Sequence, residues 1–495
     1  MRQFLTHILS LVAITILLGA CNHETEVIYA IAVNDKACTY NEQDVTIEYK
    51  LHNDVATDAK ANVTTTADWV EISDYSTLGE LTMHVSENSG NNRTATITIS
   101  VTGCQSAKFT LTQYGTPPAE ANHTLMYLFL GTSLNRYFKG NIQDAQTAIE
   151  TGILGNSNRV LFFRQESAAK GYIGELCYIG SECIEQRLEE ITIYNSNVTP
   201  ELVSEYIAKM AEYAPAKRYG LICAGHGQAW LPHEVIDNEK DISKSNLGYH
   251  PWVQAEGAET TRAFGEKGAR VNITELASAI EQSEISLDYI LFDACFMSNI
   301  ETVYDLRNVA NYIIASPCEI MGKGFPYERT LPFLFTDNGN STDYAKAAES
   351  YYLYYRDEYT SSSRCGSIAV YDCSMIEALA EATKGVVASA TDDYDASKLQ
   401  TYEGKRVHEF YDFGQWANTV ATDKEALASF NEQLERTVIA KYTLNSFYSA
   451  YGTYGTYSIN VDAYSGVTTS APSEAYPNAW KQTNWHKDVC AMSEN

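Results

Sequence analysis

With 495 residues the chain exceeds what one hydrophobic core can organise, so two or three domains are expected. A composition of 45% hydrophobic and 20% charged residues, with no low-complexity tract, excludes a chain too polar to fold. The formal charge of -28 argues against a nucleic-acid partner and against a purely electrostatic hold on anionic membrane, while it suits cationic substrates.

The amino terminus reads as a targeting segment. Arg2 supplies a positive start, and 8–18 is an apolar run of signal-peptide length, too short to span a bilayer. Leu18-Gly19-Ala20-Cys21 then resembles a bacterial lipobox, which makes 1–20 a signal peptide and Cys21 the lipidated first residue. An ordinary secretory cleavage site beside a chance cysteine is the alternative. No other stretch is long and apolar enough to cross a membrane. The expectation is a protein of the bacterial cell envelope, held to the outer membrane by lipid and facing the periplasm or the surface.

From 21 to 115 the pattern is all-β. Apolar and polar residues alternate in 44–51, 81–86, 94–101 and 108–113, and turn residues such as Ser89-Gly90 separate the runs. Short strands at this spacing predict a β-sandwich. Residues 116–122 carry two prolines and small polar residues without periodicity, as a linker does.

The remainder, 123–495, alternates strands and helices, which predicts an α/β domain with a mostly parallel sheet flanked by helices. Strands are expected at 125–130, 159–163, 219–224, 289–293, 312–315 and 367–371. Helices are expected at 141–151, at 199–213 with Thr199 as N-cap and Pro200 in the first turn, and at 374–390. The tyrosines of 351–355 read as helix packing, and the tail past Leu444 as more β-like than helical.

Eleven cysteines less Cys21 and Cys295 leave nine, so complete disulfide pairing is excluded. Cys223, Cys318 and Cys373 lie in apolar runs as small buried hydrophobes. No C-x-x-C occurs, which counts against structural zinc. Cys38 and Cys104 could pair within the small domain.

The chemistry gathers at two strand ends. Residues 219–227 (Y-G-L-I-C-A-G-H-G) and 287–295 (L-D-Y-I-L-F-D-A-C) are apolar runs that end in His226 and Cys295. Between them, Ile273, Leu276, Ala277 and Ile280 recur at helical spacing. Strand, helix, strand with a right-handed crossover lays the two strands parallel and brings their carboxyl ends to one edge. A cysteine attacks as thiolate, and His226 is the base that takes its proton. The amides of Gly227 and Cys295 are candidate oxyanion donors. A helix starting at Cys295 and running over 296–308 would add its positive end to that stabilisation.

This pattern resembles the clostripain family of cysteine endopeptidases, relatives of caspases, legumains and gingipains. The likeness covers 124–489 and includes His226-Gly227-Gln228-Ala229-Trp230 and Asp293-Ala294-Cys295-Phe296-Met297. It continues through Ala315-Ser316-Pro317, Gly324-Phe325-Pro326-Tyr327 and Ala479-Trp480-Lys481-Gln482-Thr483-Asn484-Trp485. Ala229 stands where the family has glycine, and Phe296 where it has leucine. The small domain is similar to BACON domains through 67–72 (A-D-W-V-E-I) and 109–115 (F-T-L-T-Q-Y-G). Trp69 would there be a sugar platform or, as core packing, part of a spacer.

The resemblance implies a caspase-like fold, His226 as base, Cys295 as nucleophile and Asp293 at the base of the pocket for the residue before the cut bond. A sequestered carboxylate selects guanidinium or ammonium, so cleavage after Arg, less well after Lys, is expected. The resemblance also implies self-cleavage in the loop after the histidine. The 228–271 insertion holds Lys240, Lys244, Arg262, Lys267 and Arg270, of which Lys240 or Lys244 is the expected site. No cofactor is required; calcium, which supports some relatives, has no D-x-[DN]-x-[DN]-G loop here. Competing readings are an inactive protease fold on a lipoprotein that binds glycan or protein, and the same fold with Asn or Asp specificity.

Overall fold

The computed structural model describes residues 29–51, 59–90, 92–115, 120–155, 157–179, 182–237, 252, 254–263, 268–335, 342–405, 407–451, 457–471 and 473–491. Cys21, Lys240 and Lys244 lie outside the described residues. The chain divides into two compact units, Met1–Gly115 and Thr116–Asn495.

The smaller unit is built from short, mostly antiparallel strands. Arg93–Val101 lies between Ala61–Thr65 and Ala107–Gln113, with Lys36–Cys38 on the far side of the latter. Glu80–Val85 lies between Gln43–Glu48 and Val70–Asp74. Alternation decides which side faces in. Ala95, Ile97, Ile99 and Val101 are buried, and with Leu81, Met83, Val85, Phe109 and Leu111 they form one core. Trp69 packs against that core half-buried, and the Arg93 guanidinium sits 4.4 Å over its ring. That cation covers a ring face a sugar would need. Cys38 and Cys104 are free thiols, so the pairing considered above is not made.

The larger unit is organised on a nine-stranded mixed sheet. Its strands are β1 (His123–Phe129), β2 (Asn158–Ser167), β3 (Lys170–Ile179), β4 (Glu182–Thr192), β5 (Tyr219–Ala224), β6 (Leu287–Asp293), β7 (Ala310–Ala315), β8 (Ile368–Asp372) and β9 (Val438–Tyr442). In space they run β4-β3-β2-β1-β5-β6-β7-β8-β9. The five central strands, β2 to β7 in that row, are parallel, and two antiparallel strands close each edge. Every residue of β1 is buried, as a central strand covered on both faces requires. The β3–β4 hairpin had no clear sequence signal. Its outer strand, E-C-I-E-Q-R-L-E-E-I-T, carries charge on an exposed sheet edge, which guards against edge pairing and blurs the alternation.

Helices cover both faces: α1 (Asn135–Glu150), α2 (Pro200–Tyr213), α3 (Ile273–Gln282), α4 (Ile300–Leu306), α5 (Tyr327–Leu334), α6 (Tyr344–Asp357), α7 (Ile376–Ala388) and α8 (Lys424–Thr437). Local chemistry sets their starts. Thr199 accepts from the Leu202 amide ahead of Pro200 in α2, and the Asn272 amide donates to Glu275 at 2.9 Å in α3. In α6, Tyr351 and Tyr355 are fully buried, as the packing reading of that cluster expects. No helix among the described residues is long and apolar enough to cross a membrane.

Candidate active site

Register brings the two strand ends together. β5 and β6 pair in parallel with Ala224 opposite Asp293, so His226 and Cys295 each lie two residues past the last paired position. Both therefore leave the sheet at the same edge on neighbouring strands. The backbones touch just beyond: a Cβ on Gly227 would fall 2.0 Å from the Cys295 carbonyl oxygen, so only glycine fits there. His226 is half-buried, and its Nε2 lies 2.9 Å from Ser133 Oγ, a partner on the turn after β1.

Cys295 does not begin a helix, contrary to the sequence expectation. The chain turns through 294–299, Phe296 takes φ 62°, and α4 starts only at Ile300, with Asn299 Oδ1 accepting from the Thr302 amide at 2.9 Å. A left-handed residue does not fit in the first turn of a helix, so the helix begins only after the turn and Cys295 is not part of it. The Ile320 amide donates to Cys295 Sγ at 3.0 Å. Burial pushes the Cys295 thiol well above its usual range, and the nearby Glu319 charge adds to this against the Ile320 amide. Ala229, at the family's glycine position, has φ 55°, a left-handed backbone that costs a residue with Cβ about 1–2 kcal/mol.

A segment of the 228–271 insertion covers the site. Residues 260–262 pair antiparallel with 320–322: the Arg262 amide donates to Ile320 O at 2.8 Å, and the Gly322 amide to Thr260 O at 2.7 Å. The Arg262 carbonyl oxygen accepts from the Gly227 amide at 2.8 Å and from the Cys295 amide at 3.1 Å. Its side chain, wholly buried, enters a pocket whose floor is Asp293, with Nη1 2.7 Å from Oδ2.

All five guanidinium donors are used. Nη1 also donates to the Asp293 carbonyl at 3.1 Å, Nε to Gly322 O at 3.2 Å, and Nη2 to Asn141 Oδ1 at 2.6 Å and Lys323 O at 3.2 Å. Asp293 is itself held by the Tyr327 hydroxyl at 2.7 Å and the Phe325 amide at 3.3 Å. Burial pushes its carboxyl above the ordinary range, and the Arg262 guanidinium is the main force opposing that. Gly324, at φ 74°, forms the wall: a Cβ there would meet Arg262 Nη2 at 2.3 Å and Asp293 Oδ2 at 2.5 Å. From α6, the Tyr355 hydroxyl braces this turn by donating to Gly324 O at 2.8 Å.

Of the residues expected from sequence, His226, Gly227, Asp293 and Cys295 converge here. Arg262 stood among five basic residues of the insertion, with no local feature to single it out. Asn141, Ser133 and Glu319 carried no signal, because helix α1 and two loops deliver them from distant parts of the chain. Chemically, the arrangement offers a thiol and an imidazole at neighbouring strand ends, two amides aimed at a carbonyl oxygen, and a carboxylate matched to a guanidinium. Among the described residues no group of three or more His, Cys, Asp or Glu is arranged to hold a metal ion.

Comparison with known proteins places this geometry in context. The sequence profile of the Clostripain family matches residues 184–471, and that of the BACON binding domain matches residues 59–114. A secreted C11 cysteine protease from Bacteroides thetaiotaomicron, iotapain, is 31% identical with a TM-score of 0.64, over 76% of this chain and 100% of that one. A secreted C11 protease of the same organism, in complex with an irreversible peptide inhibitor, is 25% identical at TM-score 0.62, covering 75% of this chain and 100% of that one. An inactive zymogen C11 protease from Parabacteroides distasonis is 28% identical at TM-score 0.61, over 76% and 99%. No curated protein matches the chain.

Proposed function

Since this chain belongs to the clostripain family of cysteine proteases, we propose that it is a precursor endopeptidase that cuts after arginine, and whose first substrate is its own Arg262–Ala263 bond. The observation that carries the reading is the pose of Arg262: side chain on Asp293, carbonyl oxygen between the amides of Gly227 and Cys295.

The steps follow from that pose. His226 takes the Cys295 proton, and the thiolate attacks the Arg262 carbonyl carbon. The developing oxyanion stays on the two amides that already hold the oxygen. His226 then protonates the leaving Ala263 nitrogen, leaving a thioester between Cys295 and Arg262 that water hydrolyses. Burial raises the Cys295 thiol above its usual range while the segment covers it, which opposes formation of the thiolate. After the break, the Arg262 end can withdraw and free the pocket for arginine in other proteins.

Arginine outranks lysine because an ammonium on Asp293 cannot also reach Gly322 O, Asn141 and Lys323 O. Asn141→Ala removes one charge-assisted bond of about 1.5–3 kcal/mol. It is expected to cut the Arg-to-Lys ratio of kcat/KM on matched peptides by roughly tenfold or more.

Mass spectrometry of the incubated chain tests the whole reading. Two pieces are expected, one ending at Arg262 and one beginning at Ala263, with peptidase activity rising in step. Arg262→Ala should stay in one piece and gain no activity. A break after Lys240 or Lys244 in the wild-type chain would instead favour the sites expected from sequence. Lipid at Cys21 would place this peptidase on the bacterial envelope, where protein substrates with basic residues are met. A glycan on the small domain would have to bind away from the ring face of Trp69 that Arg93 covers.

A further inference from the structure

The residue before Arg262 is read as well. The Thr261 hydroxyl donates to Glu319 Oε1 at 2.9 Å, and both side chains are wholly buried. Glu319 immediately precedes Ile320, the residue that pairs with Arg262 and contacts the Cys295 thiol. The Ala450 amide donates to both Glu319 oxygens, at 3.0 and 3.2 Å, and fixes the carboxylate in place. No Arg or Lys pairs with it among the described residues, and burial pushes its carboxyl up to about 7.

We infer that Glu319 forms the subsite for the residue preceding the cleaved arginine, and that it selects a small hydroxyl side chain, threonine first and serine next. The inference rests on the peptidase reading above and names a substrate class for the same site: proteins carrying Thr-Arg or Ser-Arg in extended segments. A buried carboxylate is costly unless its acceptors are filled. Threonine supplies one O–H donor in the space available. Valine has the same shape and none, so it leaves an acceptor bare. An acidic residue adds a like charge. Threonine's full enclosure leaves no room for a long side chain.

The self-processed full-length protein should be assayed on fluorogenic peptides ending in arginine and identical except for Thr, Ser, Val, Ala or Lys at the preceding position. Threonine is expected to exceed valine in kcat/KM by about 10- to 100-fold, mostly in KM, with serine between them. Glu319→Gln should shrink the Thr-to-Val ratio severalfold, because a neutral amide oxygen accepts the threonine hydroxyl more weakly than a carboxylate does. Equal turnover of the Thr and Val peptides, or a Lys peptide that outruns Thr, overturns the subsite and leaves the arginine reading standing. The wild-type series decides this even if the Glu319 variant fails to fold. Absence of turnover on every arginine peptide overturns the peptidase reading itself, and the subsite falls with it.

Discussion

Cys295→Ala is expected to leave the chain in one piece at Arg262–Ala263 and to lower turnover of arginine peptides by about 10⁴- to 10⁶-fold. The nucleophile is the only group removed. The two amides that hold the Arg262 carbonyl oxygen, and the Asp293 pocket, are untouched, so residual rate above water comes from them alone. The substitution deletes one sulfur that contacts the Ile320 backbone, so little unfolding is expected. The same variant separates self-cleavage from cleavage by another copy. Arg262 is 0% exposed and Ala263 1%, so active enzyme added to Cys295→Ala should leave its Arg262–Ala263 bond intact for as long as the segment stays seated. Gel analysis reads both results. Breakage of Cys295→Ala alone at the wild-type rate would mean that a different group performs the chemistry.

Asp293→Asn should act on both ends of the buried pair. For peptides, it removes the charge that pairs with arginine, and kcat/KM should fall on the order of 10³-fold. In the uncut precursor it strands a guanidinium that is 0% exposed, and breaking such a pair costs about 3–5 kcal/mol. That cost is capped by what it takes to release the 260–262 segment, so melting temperature alone would understate it. A double-mutant cycle made in the Cys295→Ala chain isolates the coupling. Asp293→Asn alone should lower stability and expose the segment to added trypsin, whereas Arg262→Ala with Asp293→Asn should recover part of the stability. Additive effects, with no coupling, would show that Asp293 does not hold Arg262 in solution.

The helix error at Cys295 and the success at the strand ends have different physical origins. Buried central strands announce themselves as apolar runs, so 219–224 was legible to the residue and the strand expected at 289–293 starts only two residues earlier, at Leu287. A turn is set by backbone conformation, and nothing in Cys295-Phe296-Met297 advertises the left-handed φ at Phe296. Ala229 is the companion case: its left-handed backbone becomes visible only once the chain is folded, and it explains why glycine suits that position.

By itself, the amino-acid sequence determined the β-rich and α/β halves, the parallel strands, and His226 and Cys295 at equivalent strand ends. Each of these is written in local periodicity or in a short motif. Only the tertiary structure decided what fills the site. Arg262 is one of several basic residues in a long insertion, and its pocket is assembled from Asn141 on α1, Asp293 at the end of β6, and Gly322 to Gly324 after β7. Glu319 meets Thr261 across 58 positions of chain. Such contacts are chosen by which buried charges and amides can satisfy one another after the sheet has formed, a condition on the whole fold that no window of sequence contains.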